Sequence, residues 1–316
     1  MSGDQARGVE AGSVLVATSV KDHGQVPEDR WLVDALTHQG VASRLAAWDD
    51  PHENWDAGAV VIRSTWGYQH RLAAFHAWLD RVEPGVQNPA AMVRANIDKE
   101  RQFAWLDSAG IPRVRSSLVR DPLTAADLAA LAASVFPDAA GYVMKPTISA
   151  SGHHTLLLDP HRRPGRATAR FSDAERLVSE VIARPGRGAV LLQPFHPEID
   201  DGELALVYFG GSFSHAFLRF PAVFRARARA DHVPHPPAAA LALADRILES
   251  LPRTPTYARI DLIEVGGRPV VMEVELAEPG LGLAYLPPEN RQRALTLFAR
   301  AIVRAAAPAM SAAVRP

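Results

Sequence analysis

The chain has 316 residues, 47% of them hydrophobic, with 34 basic and 35 acidic side chains and a net charge of −1. That length and apolar content provide core for one to three domains, and the even charge balance argues against a nucleic-acid or membrane partner. There is no cysteine, which excludes thiol catalysis, thiolate metal sites and disulfides and fits a cytoplasmic protein.

Residues 1–12, "MSGDQARGVEAG", read as a polar lead. "SVLVATS" (13–19), "VASRLAAW" (41–48) and "AVVIRS" (59–64) read as short strands, with an amphipathic helix from Glu28 to His38 stopped at Gly40. This alternation predicts a parallel α/β unit over residues 1–95. Leu72, Phe75, Leu79 and Val82 recur at helical spacing, so "RLAAFHAWLDRV" covers one face of that sheet and Trp78 packs there. "NPAAMVRANIDKERQFAWLDSAGIP" reads as a turn and then a helix capped by Asp98 and stopped by Gly110 and Pro112.

A smaller unit is expected over 96–190. It holds a strand near "RVRSSLV", a helix opened by Thr124 and Asp127, the strands "GYVMKP" and "TLLL", and a helix at 172–183 opened by Ser172 and Glu175 as a capping box. Lys145 lies in a buried-looking strand, followed by the small-residue loop from Thr147 to Gly152. A strand-end lysine snorkelling to water explains this pattern; so does a phosphate clamp made of an ammonium and exposed backbone amides. The third unit, 191–316, opens with "LLQPF" and continues as antiparallel strands: "ELALVYFGG" with "SFSHAFLRF", then a hairpin around Gly266 and Gly267.

That hairpin carries Asp261, Glu273 and Glu275 among Ile260, Leu262, Met272 and Val274. A two-residue turn in a regular ladder would set Ile260 opposite Glu273 and mix acid with core. A three-residue loop instead pairs Ile260 with Val274, Leu262 with Met272, Asp261 with Glu273 and Arg259 with Glu275, so that one face is apolar and the other acidic. Opposed carboxylates repel by roughly 4 kcal/mol at about 4 Å and an effective dielectric near 20. Either Arg259 neutralises them on a wet face, or a hard divalent cation does.

The order Lys99 in "NIDKERQF", Lys145 in "YVMKPTISASG", "LLQPF", Arg219 in "SHAFLRF", "ARID" and "MEVEL" resembles the ATP-grasp superfamily. "VIRSTWGY", "DDPHENWDAGAVVIRS", "QPFHPEI" and "YFGGSFSHA" resemble its glutathione-synthetase-like branch, which includes the O-ureido-D-serine cyclo-ligases of cycloserine biosynthesis. The resemblance implies an N-terminal α/β domain, a central lid domain and a C-terminal antiparallel domain. It also implies ATP with Mg²⁺ in two ions, and amide formation through an acyl phosphate on a small amino-acid-like substrate.

Position by position, the resemblance assigns Lys99, Lys145, Ser151 and Gly152 to the phosphates and Gln193, Pro194 and Phe195 to adenine. Glu198 or Glu203 falls to the ribose or the substrate end. Asp261, Glu273 and Glu275 fall to the metal, Arg219 and Arg259 to the reacting phosphate, and Arg63, Ser64 and Gly280 to the acceptor. Relatives have aspartate where this chain has Gly67, glycine or arginine at His153 and His154, and bulkier residues in "AEPGLGLAYLPP". An intermolecular ligase, a silent nucleotide sensor and a small-molecule kinase remain alternatives to a cyclo-ligase, and a homo-oligomer is left open. The histidine pairs lack a third ligand at zinc spacing.

Overall fold

The computed structural model describes residues 12–56, 58–150, 152–159, 168–183, 186, 188–220 and 229–313; the polar lead through residue 11 and Ser151 lie outside these. β1 (Val14–Thr18), α1 (Pro27–His38), β2 (Ser43–Ala47), β3 (Ala59–Ile62), α2 (Leu72–Val82) and β4 (Val86–Gln87) build the first sheet in the order β2-β1-β3-β4. All of its pairings are parallel, as the strand–helix alternation requires. Phe75, Trp78, Leu79 and Val82 of α2 are buried against Leu15, Val60 and Ile62.

The segment expected to be a turn before Asp98 is itself a helix, α3 (Ala90–Asn96), followed by α4 (Lys99–Ser108). Asp98 caps α4 by accepting from the Glu100 amide at 3.0 Å. The second sheet is antiparallel, ordered β5-β8-β6-β7. It is made of β5 (Ser117–Val119), β6 (Tyr142–Pro146), β7 (Leu156–Leu158) and β8 (Val190–Pro194), with α5 (Ala125–Val135) and α6 (Phe171–Ile182) between them in the chain. Thr124 caps α5 as expected. At α6 the expected box is displaced. Arg170 is the N-cap, and Asp173 accepts its amide at 2.8 Å. Glu175 instead reaches the neighbouring helix and accepts from the Ala125 amide at 2.9 Å, so it satisfies an orphan donor of α5.

The third sheet runs β11-β10-β9-β12-β13 and is antiparallel. Its strands are β9 (Glu203–Phe209), β10 (Ser212–Phe220), β11 (Arg229–Val233), β12 (Tyr257–Val265) and β13 (Arg268–Glu275), with α7 (Ala238–Glu249) before β12 and α8 (Pro288–Ala313) after β13. Alternation along β9 and β12 sorts the side chains. Leu206, Tyr208, Ala258, Ile260 and Leu262 pack against α4 and α7. Ala205, Val207, Phe209 and Tyr257 pack against Phe298 and Ile302 of α8, together with the first sheet. β13 is an edge strand, and helices cover it through buried amides. Asn96 donates to the Val274 carbonyl and accepts from the Leu276 amide, both at 2.7 Å, and Gln102 brackets Val274 at 2.7 and 2.9 Å.

In the hairpin, Arg259 faces Glu275, Ile260 faces Val274 and Asp261 faces Glu273, as the segregation of acid from core demanded. The device that achieves this differs from the expected one. Val265 pairs with Arg268, so Gly266 and Gly267 form a two-residue turn; the register then shifts so that Leu262 faces Val271, leaving Met272 as the extra residue. A bulge inside β13 does what a longer turn was expected to do, and it lets both Val271 and Val274 face the core while Glu273 and Glu275 face away. Both turn glycines have positive φ, 59° and 74°, as a primed hairpin turn needs, and a Cβ at either meets nothing within 4 Å. The cost of a side chain there is therefore conformational. Gly266→Ala and Gly267→Ala each lower stability by about 1 to 2 kcal/mol, read as a shift of the urea midpoint at constant slope.

Candidate active site

The polar ends of the strands in the third sheet open into a cavity of about 610 Å³ bounded by all three sheets. Glu203, Arg219, Arg259, Asp261, Glu273 and Glu275 all emerge from the face of that sheet whose other end packs on α8. Asp261 is 0% exposed and accepts from Arg259 through both oxygens, at 2.8 Å each, and from Arg219 at 2.8 Å. Arg219 also bonds Glu203 at 2.7 Å. Arg259, 3% exposed, continues to Glu275 at 2.9 Å and to the Gly280 carbonyl at 2.9 Å. Arginine thus offsets the repulsion between the opposed acids within the chain itself.

Lys99 opens α4 and reaches Glu273 at 2.9 Å and the Ser149 carbonyl at 3.2 Å, tying the loop after β6 to the third sheet. Burial works to raise the Glu273 carboxyl, but the ammonium groups of Lys99 and Lys145 overcome it and hold the group down to about 2. Burial lowers Lys145, Glu273 pulls it back up, and among the described residues it has no bonded partner. Burial also pushes Glu275 up to about 6, against the attraction of Arg259.

Asp261, Glu273 and Glu275 each offer an oxygen within 4.8 Å of the others. Glu273 and Glu275 line the cavity, and among the described residues no donor is bonded to the second oxygen of either, which suits Mg²⁺; Asp261 is outside the lining, fully buried, with both oxygens taken by Arg259 and Arg219. No histidine joins a group of this kind among the described residues.

Other assigned residues fall as follows. Gly152, Gln193, Pro194 and Phe195 line the cavity, and the buried Gln193 Nε2 has no partner. Of the two candidate glutamates, Glu203 lines the cavity and Glu198 does not. Arg63 donates to the Pro279 carbonyl at 2.8 Å; Ser64 bonds Thr18 at 2.6 Å and donates to Asp29; both line the cavity, as does Gly280. Gly67 is not in the cavity wall. It holds a left-handed φ of 90° between Trp66 and Tyr68, which both line the cavity, and a Cβ there would meet nothing within 4 Å. The His153 and His154 rings stack at 3.8 Å, and His153 meets the His70 edge at 4.8 Å.

Sequence reasoning missed Glu28, Asp29, Trp66, Tyr68 and Glu278, all of which line the cavity. Only Glu278 carried a signal, as the next acid after Glu273 and Glu275. Trp66 Nε1 donates to it at 3.1 Å. Burial first, then the neighbouring Glu275, push Glu278 up to about 8 from an ordinary 4.5. The folded state therefore holds a proton that the unfolded chain releases above about pH 4.5, so stability falls as the pH rises from there toward 8. Glu278→Gln mimics the protonated form. It raises stability at pH 9 by about 1 to 3 kcal/mol after screening, and the difference closes near pH 4.5, as thermal unfolding at both pH values would read.

A family profile described as the N-terminal domain of the D-cycloserine synthetase DcsG matches residues 14–88. The cycloserine biosynthesis protein DcsG of Streptomyces lavendulae is 29% identical over 271 residues, 80% of this chain and 87% of that protein. The crystal structure of D-cycloserine synthetase DcsG aligns with a TM-score of 0.78 at 24% identity, covering 93% of this chain and 100% of that one. The ATP-grasp ligase PsnB, solved with a phosphomimetic variant of its minimal precursor, Mg and ADP, aligns at 0.59 and 16% identity, covering 94% and 99%. By these matches the chain has the ATP-grasp fold. Within that class it is similar to the cycloserine biosynthesis protein DcsG. Among the described residues no helix is long and apolar enough to cross a membrane.

Proposed function

We propose that the chain uses ATP to activate the carboxylate of a small amino-acid-like substrate and forms an amide on it, with ring closure of O-ureido-D-serine as the leading specific reaction. The observation that supports this most is the convergence in one cavity of two lysines, two arginines and the carboxylates of Glu273 and Glu275, with an Asp261 oxygen within 4.8 Å of theirs. A substrate carboxylate oxygen attacks the γ-phosphorus and ADP leaves, giving an acyl phosphate. A substrate nitrogen, in ring closure the ureido nitrogen bonded to oxygen, then attacks the acyl carbon and gives up its proton, and phosphate leaves as the amide forms.

Lys99 and Lys145 bind the phosphates, and the Gln193–Phe195 backbone with the unpartnered Gln193 amide reads adenine. Asp261, Glu273 and Glu275 hold Mg²⁺, in two ions, which when bound supplies positive charge to the phosphate oxygens. Arg219 and Arg259 are placed to stabilise charge on the transferring group, an effect of about 3 to 4 kcal/mol per well-set donor. Arg63, Ser64 and Gly280 bound the acceptor end. Residues 1–95, 96–190 and 191–316 are read as the acceptor, lid and metal-bearing domains; the three separate sheets support this division except at the second boundary, where β8 (Val190–Pro194), expected to open the third unit, pairs with β5 and β6 and completes the second sheet.

The test is incubation with Mg-ATP and O-ureido-D-serine, followed by ADP release and product mass. A ring-closed product formed without a second amine is the expected result, lighter than the substrate by one water while the carbamoyl group is retained and by carbon dioxide plus ammonia once that group is hydrolysed off. A product containing an added amine would remove the cyclo-ligase reading and keep the ligase. ADP without amide would make the chain a small-molecule kinase.

A further inference from the structure

The cavity is electrically polar. Lys99, Lys145, Arg219 and Arg259 gather where the three metal-type carboxylates lie, whereas the wall formed by the start of α1, the turn after β3 and the segment after β13 carries Glu28, Asp29 and Glu278. Among the described residues, Arg63 is the cation paired with Glu28 and Asp29, and Glu278 feels Arg259 and then Arg63. Arg63 is tied down by the Pro279 carbonyl at 2.8 Å, and its remaining nitrogens lie 3.6 Å from Asp29 and 3.8 Å from Glu28.

Asp29 is 1% exposed, and among the described residues its Oδ1 has no hydrogen-bond donor although the residue faces the cavity. Glu278 is held by two aromatic side chains: the Trp66 indole N–H at 3.1 Å and the Tyr68 hydroxyl. Trp66 is 38% exposed, so its ring is presented beside the carboxylate. A carboxyl group framed by aromatic rings is a site for an ammonium ion, which displaces the proton held there and gains an ion pair and the attraction of the ring faces together. An isolated carboxylate group is repelled by the same wall.

We propose that Glu278, oriented by Trp66 and Tyr68 and backed by Asp29, is the specificity-determining subsite for a free ammonium group on the substrate. A zwitterionic substrate then spans the cavity, its carboxylate toward the lysines and arginines and its ammonium toward Glu278. Simple deamino acids are selected against at binding, before any phosphate is transferred.

Two measurements test this, and only the first rests on the ligase reading. ADP release is compared for O-ureido-D-serine and its deamino counterpart, 3-(ureidooxy)propanoate. The wild type prefers the ammonium form by about tenfold or more in kcat/KM. Glu278→Gln brings the ratio within about threefold of unity, chiefly through KM, and Glu278→Asp restores part of it. An unchanged ratio in Glu278→Gln overturns the proposal.

The second measurement titrates D-alaninamide, an amine without a carboxylate, into the full chain with and without Mg²⁺ and AMP-PNP, following tryptophan emission. A saturable change that is lost in both Trp66→Phe and Glu278→Gln is expected. A wild-type chain that shows no change, or a Glu278→Gln chain that keeps it, overturns the subsite whether or not the enzyme proves to be a ligase. If the binding response stands while no substrate releases ADP, the ligase reading fails and the subsite survives.

Discussion

Glu273→Gln lowers Mg-ATP turnover by about a hundred- to a thousandfold while the chain stays folded. The carboxylate is one of three with oxygens within 4.8 Å, and its second oxygen is free of donors among the described residues, so it is the group best placed to meet a cation. Gln keeps the volume and still accepts from Lys99, which sits 2.9 Å away, so the lysine is not stranded. The charge is nevertheless lost. A carboxyl held down to about 2 contributes stability that is present above its unfolded value of 4.5 and disappears as the pH falls through about 2. The variant is therefore expected to be less stable than the wild type by roughly 2 to 3 kcal/mol at pH 7, with the two converging below pH 2. Coupled measurement of ADP release and far-UV circular dichroism separates the two effects. Wild-type turnover in a folded Glu273→Gln chain would remove these acids from the metal reading.

Asp261→Ala is expected to be the most damaging single change to the fold, at about 3 to 5 kcal/mol. Asp261 is fully buried and satisfies three N–H donors, two from Arg259 and one from Arg219, at 2.8 Å each. Truncation leaves the buried Arg259 guanidinium with only Glu275 and the Gly280 carbonyl, and leaves Arg219 with Glu203 alone. Asp261→Asn keeps the shape and one acceptor and costs less, so the difference between the two variants measures the charge. Urea unfolding gives the comparison directly, provided the slope is unchanged. A loss below about 1 kcal/mol for Asp261→Ala would mean that water replaces the carboxylate and that the arginines do not depend on it.

The local patterns were legible where one physical constraint dominates. Alternating β-branched runs and helical spacing located the parallel sheet, because burying one face imposes a period on the sequence. Asp98 and Thr124 were readable as caps because a short polar side chain before a helical run has few other uses. The hairpin pairing was readable because any other register would put acid into the core. Its mechanism was not, since a bulge at Met272 and a longer turn produce the same pairing near Asp261, and only the backbone distinguishes them. Glu175 failed as a cap for a similar reason. Its spacing was right, but a neighbouring helix offered an unsatisfied amide that sequence proximity does not reveal.

The sequence alone singled out the side chains proposed to carry chemistry. Two lysines, two arginines and three carboxylates stand in the order that resembles ATP-grasp proteins, and the hairpin pattern alone put the acids on one face. The tertiary structure decided what those groups meet. Residues as far apart as Arg63 and Pro279, or Trp66 and Glu278, become partners only when the first sheet and the segment after β13 close on one cavity. Glu28 and Asp29 could be read only as ordinary acids in the first turn of a helix, where the helix dipole favours them. Their place in the cavity wall depends on desolvation and on the guanidinium of Arg63 that they share, and these are set by packing across long sequence separations that no local pattern records.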